Sequence, residues 1–109
     1  MNIMRKQIAA ANWKMNLSQN EAESLLDQLL ASDLNLTENQ SAIFAVPAIY
    51  IPLAIQKLTS KKQIFVAAQN CHQKESGAYT GEIAASMYKS AGVNYIVLGH
   101  SERREYFNE

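Results

Sequence analysis

The feature that most constrains this chain is a repeated succession of short apolar runs and segments with helical spacing. Residues 7–11, 42–46, 64–69 and 95–98 form the apolar runs. Between the first two, Ala22, Leu25, Leu26, Leu29 and Leu30 recur three and four residues apart, which predicts one apolar helix face. Ser18 with Glu21 three residues on has the pattern of a capping box, and this helix should end near Ser32. Pro47 closes the second run, and Pro52 suits the first turn of a helix continuing over 53–58. A further helix over 84–91 ends at Gly92, a natural stop. Strands alternating with helices predict parallel βαβ units with right-handed crossovers.

The near-continuous apolar character of 7–11 predicts a first strand buried on both faces. The segment 70–81 is polar and longer than a typical strand-to-helix loop, which points to a functional role. Residues 101–109 begin another helix that the chain is not expected to finish. The pattern yields four strands and three complete helices, an α/β chain. Either an open doubly wound sheet or half of an eight-stranded barrel would satisfy it.

Composition removes several function classes. Ten basic and ten acidic side chains balance to zero net charge. No basic footprint for nucleic acid and no polybasic membrane tether is therefore expected. No apolar run is long enough to span a bilayer. Arg5 and Lys6 resemble the start of a leader, but the apolar run after them stops at Asn12; the expected location is cytoplasmic. Cys71 is the only cysteine, which excludes an intrachain disulfide. With two histidines and no C-x-x-C, no metal site is expected. Cys71 reads as a reduced cysteine at a strand end. The four glycines form neither G-x-G-x-x-G nor a G-K-[ST] loop, and there is no G-x-S-x-G.

Two polar clusters stand where strands should end. Lys14 follows Asn12 and Trp13 after the first strand, and His100 follows Gly99 after the fourth. Each alone suits a bland role, a solvated lysine and a structural histidine. In parallel α/β folds, however, functional groups gather at the carboxyl ends of strands. A lysine there supplies a fixed cation for a phosphate or a developing oxyanion. A histidine at a helix start sits at the positive end of the dipole, which favours neutral imidazole. Together they suit proton transfer beside a carbonyl on an anionic substrate.

Asn12-Trp13-Lys14, Gly99-His100-Ser101-Glu102-Arg103-Arg104 and the loop elements Gln69-Asn70 and Gly77-Ala78-Tyr79-Thr80-Gly81-Glu82 resemble, in order, the signature segments of triosephosphate isomerases. The resemblance covers residues 5–109. It implies the N-terminal half of a (β/α)8 TIM barrel, with 1–109 a single partial domain, and an enzyme of glycolysis and gluconeogenesis. The implied reaction interconverts dihydroxyacetone phosphate and glyceraldehyde 3-phosphate without metal or organic cofactor. It further implies a catalytic set of Lys14, His100 and Glu102, with Asn12 and Lys14 binding substrate and Glu102 supporting Lys14. His100 would be a neutral electrophile, a role for which this family is the standard example of helix-tuned imidazole. The family's dimer would use Met15 as socket for the long loop, with Tyr79 and Thr80 reaching the neighbouring subunit. Arg103 would pair with Glu109, and Glu82 would approach the same arginine across the interface.

A complete barrel of this kind has about 250 residues. By the resemblance, four strands, the phosphate-binding glycine loops, the lid and the catalytic glutamate are absent from this chain. The chain is expected to be inactive without its C-terminal half, supplied as a separate chain or lost by truncation, which a stop inside the last helix favours. A non-catalytic half-barrel that only binds partners or phosphate is the alternative. A flavodoxin-like domain would need a phosphate loop or acidic cluster where Asn12-Trp13-Lys14 stands.

Overall fold

The computed structural model describes residues 5–32 and 34–109; residues 1–4 of the expected 1–109 domain, and residue 33, lie outside the described residues. Its elements, in chain order, are strand β1 (Gln7–Asn12), helix α1 (Gln19–Ala31), strand β2 (Gln40–Ala45), helix α2 (Ile51–Leu58) and strand β3 (Ile64–Ala68). Helix α3 (Ala85–Ser90), strand β4 (Tyr95–Ile96) and helix α4 (Ser101–Phe107) complete the described set. A short 3₁₀ turn, Ala48–Tyr50, leads into α2. The strands pair in parallel in the order β1-β2-β3-β4. The result is a curled four-stranded half-barrel.

Local chemistry explains the helix ends. Ser18 Oγ accepts from the Glu21 N–H, and Glu21 Oε1 accepts from the Ser18 N–H at 3.0 Å, so the expected box forms at the start of α1. Pro52 stands in the first turn of α2, where its missing N–H costs nothing. Gly92, at φ +94, follows α3 and lets the chain turn. Helix α4 departs from expectation. It ends at Phe107 because Asn108 adopts the left-handed conformation, φ 57 and ψ 36, which short polar side chains tolerate.

Side chains alternate across the sheet. Ala42, Val46, Ile64, Val66, Ala68 and Ile96 face the helices, where they pack with Leu26, Ala54, Leu58 and Tyr88. Ile43, Ala45 and Ala67 face the other way, with Phe65, Tyr95 and Val97. This is the period-two geometry of a sheet. Phe65 and Tyr95 meet edge to face at 5.5 Å.

The expectation that the first strand is buried on both faces is wrong for this chain. Every residue of β1 is exposed, with Ile8 at 49%. The cause is its place at the sheet edge: β2 pairs with one side only, and α1 packs chiefly on α2. The apolar pattern of β1 is that of a strand with neighbours on both sides. β4 is also shorter than expected, two residues rather than four. Cys71 lies in the loop beyond β3 and packs against the helix-side core as a free thiol.

Leu26 and Leu58 are among the largest side chains buried almost completely between sheet and helices. Leu58→Ala should lower stability by about 2–5 kcal/mol through lost apolar burial and the cavity left behind. Ile49, 78% exposed, should change it by no more than about 0.5 kcal/mol when replaced by alanine. Urea unfolding of the two variants checks this contrast.

Candidate active site

The parallel ladder brings all four carboxyl strand ends to one rim. A cleft of about 530 Å³ opens there, within the size range of small-molecule sites. Its lining includes Asn12 at the end of β1 and Lys14 just after it, Gln69 and Asn70 after β3, and His100 and Glu102 at the start of α4. Residues 86 and 88 positions apart in sequence thus meet across one opening.

The loop after β1 is held at each step. The Trp13 N–H donates to Ala45 O at 2.9 Å, continuing the ladder past β1. The Lys14 N–H donates to Asn12 Oδ1 at 2.9 Å. Farther along, buried Tyr50 donates its hydroxyl to Leu17 O at 2.7 Å. Lys14 itself has φ +58, a conformation that is uncommon for a side chain of this size. From it, Nζ reaches Glu102 Oε1 at 2.6 Å. The hydrogen bond from Lys14, ahead of its charge, lowers the Glu102 pKa, and the reciprocal bond raises that of Lys14. Both side chains are roughly half exposed, so the pair orients the ammonium more than it stabilises the fold.

His100 caps α4. Its Nδ1 accepts from the Glu102 N–H at 3.1 Å. A nitrogen that accepts carries no hydrogen, which leaves Nε2–H as the donor that the ring can offer. The helix start therefore sets the imidazole tautomer. Glu102 serves twice, through its backbone N–H to His100 and through its carboxylate to Lys14.

Asn12, Lys14, His100 and Glu102, expected to act together, all line this cleft, as do Met15 and Arg103. Arg103 donates from both Nε and Nη2 to Glu109 Oε2, at 2.8 and 2.5 Å, and lies over the Phe107 ring at 4.8 Å. Glu109 is the main cause of its raised pKa. The charge of Glu82 in the same chain adds a smaller contribution. Tyr79 and Glu82 line a separate pocket of about 40 Å³ with His72, and exposed Thr80 lines neither this pocket nor the cleft. Residues 69–84 close on themselves: His72 pairs with Ala84, and the His72 and Tyr79 rings stand 4.4 Å apart.

Tyr88, Tyr106 and Phe107 also line the cleft and were not foreseen. Tyr106 and Phe107 each lie four residues beyond Glu102 and Arg103, on the same helix faces. That spacing was a usable signal. Tyr88 gave none, since its place depends on how α3 packs.

The family model described as triosephosphate isomerase matches residues 7–109. The triosephosphate isomerase of Clostridium botulinum is 47% identical over 107 residues, 97% of this chain and 42% of that protein. That of Flavobacterium psychrophilum is 49% identical over 106 residues, with the same shares, 97% and 42%. That of Mycoplasma mobile is 44% identical over 108 residues, 97% of this chain and 45% of the relative. The chain thus spans less than half the length of the curated relatives it matches. It belongs to the triosephosphate isomerase family, and its curled sheet of four parallel strands is the N-terminal half of that family's barrel.

Proposed function

We propose that this chain supplies the lysine and histidine half of a triosephosphate isomerase active site, acting on dihydroxyacetone phosphate and glyceraldehyde 3-phosphate in glycolysis and gluconeogenesis. The observation that carries this reading is the convergence of Lys14 and His100 on one cleft, with Glu102 bonded to both. In the reaction, a base from the rest of the barrel removes the proton on the carbon beside the carbonyl. The pair left by that C–H bond forms a carbon–carbon double bond, and the carbonyl π pair moves onto the oxygen, giving an enediolate. His100 Nε2–H donates a hydrogen bond to that oxygen as charge grows on it. The Lys14 ammonium offsets the charge of the enediolate and the phosphate, and Asn12 contacts the substrate from the same rim. The base itself is not assigned to any residue of this chain.

The complete enzyme is proposed to be a cytoplasmic homodimer in which Tyr79 and Thr80 reach the partner beside Met15. In support, Met15 is 94% exposed and Tyr79 42%, on loops closed by their own hydrogen bonds. Glu82 and Arg103 would lie at the same interface. Among the described residues no helix is long and apolar enough to cross a membrane.

A chimera joining this chain to the remainder of the Clostridium botulinum relative tests the activity. It should isomerise the triose phosphates. Lys14→Ala should abolish measurable turnover, and His100→Gln should lower kcat by about 10²–10³-fold, the usual effect of removing one oxyanion donor. A folded chimera that binds a triose phosphate without turnover would favour the non-catalytic module instead.

The Lys14–Glu102 pair has a defined pH window. Glu102 titrates below its ordinary 4.5, so the pair is lost only as pH falls through that depressed value. Lys14 titrates above its ordinary 10.5, so the pair persists until pH rises through that raised value. Glu102→Gln should bring the Lys14 Nζ titration back down, followed by nitrogen NMR. An unchanged titration would mean that the two groups are not paired in solution.

A further inference from the structure

The side-chain amide of Gln69 is the point at which three strand ends meet. Gln69 follows directly on β3. Its Nε2 donates to Lys14 O at 2.9 Å, to Ala45 O at 3.2 Å and to Asn12 Oδ1 at 3.3 Å. An amide nitrogen has two hydrogens, so at least one is shared between acceptors. The acceptors belong to the end of β1, the loop after it and the end of β2.

The consequence falls on Lys14. Its N–H is held by Asn12 Oδ1 and its C=O by Gln69 Nε2. The same Asn12 oxygen also accepts from Gln69. Both backbone polar groups of Lys14 are therefore fixed by side chains while its φ stands at +58. A left-handed backbone costs of order 1–3 kcal/mol for a non-glycine residue and persists where the surroundings hold it. A relaxed Lys14 backbone would aim Nζ elsewhere, away from Glu102.

We infer that Gln69 is a positioning residue for Lys14: by donating to three acceptors at once, it holds the lysine backbone in the left-handed conformation from which the ammonium enters the cleft. The residue type follows from the chemistry. Glutamate would set an acceptor against three acceptors, asparagine is one methylene too short, and methionine fills the space without a donor.

The first test uses the chain itself. In the parent, the Gln69 side-chain amide hydrogens should exchange at least about tenfold more slowly than those of Gln56 on the exposed face of α2, since hydrogen-bonded amides exchange only on opening. In Gln69→Met, the Lys14 Cα and Cβ shifts should leave the left-handed range and its Nζ titration should fall. The methyl signals of Leu58 and Val66 should stay in place, which a general loss of structure would not allow. Equal exchange at Gln69 and Gln56 would overturn the inference, and so would unchanged Lys14 shifts in Gln69→Met. The link to catalysis rests on the isomerase reading, and the chimera tests it separately. There Gln69→Met should lower kcat/KM about 10–100-fold, the scale of a small misplacement of a reacting group. An inactive parent chimera would count against the isomerase reading and leave the Lys14 measurements to judge the role of Gln69.

Discussion

The parallel ladder of β1 to β4 is the constraint on which the rest depends. Because the strands run the same way and stand in register, from Gln7 opposite Gln40 to Ala68 opposite Ile96, their carboxyl ends form one rim. Each strand end and the loop after it deliver residues to that rim: Asn12 and Lys14 from β1, Ala48 from β2, Gln69 and Asn70 from β3, and His100 from β4. Strand alternation then divides the molecule into a helix-side core and a second, smaller apolar face. The cleft is a product of strand direction before it is a product of any side chain.

On that rim, hydrogen bonds between strand ends do what the ladder no longer can. Trp13 still bonds to Ala45 as a ladder residue would, but Lys14 turns left-handed and leaves the pattern. Side chains take over: Asn12 and Gln69 on the Lys14 backbone, Glu102 on its ammonium, and Tyr50 on Leu17. The same substitution of side chain for backbone occurs at the other end of β3, where Gln63 donates to the carbonyls of Thr37 and Gln40 at 2.6 Å. β3 is thus bracketed by two glutamines, one tying its entrance and one its exit to the neighbouring strand.

The helix start at residue 100 shows how two functional groups are set by one local structure. The imidazole of His100 caps the helix through Nδ1, and the carboxylate two residues on, still in the first turn, pairs with Lys14. The first turn of α4 therefore couples the orientation of the histidine to that of the lysine across the cleft. Tyr106 and Phe107, one turn later, extend the same faces into an apolar wall.

Much of this was legible in the sequence wherever the deciding interactions are local. The capping box of Ser18 and Glu21, the stop at Gly92 and the four alternations of strand and helix depend on residues a few positions apart, and they appear as read. The motifs around Lys14 and His100 stand at strand ends that line one cleft. What only the tertiary structure decided lies between distant residues. β1 carries the apolar pattern of a buried strand yet is exposed, because burial depends on a neighbour rather than on the strand itself. α4 reads as a helix running on through residue 109, yet it spans Ser101–Phe107, with Asn108 left-handed after it and Arg103 paired with Glu109. Gln69 looked like one residue of a loop motif, and its role emerges only when β1, β2 and β3 stand side by side. Periodicity records which face of an element is apolar; it cannot record which carbonyls from other strands will come within reach of one amide.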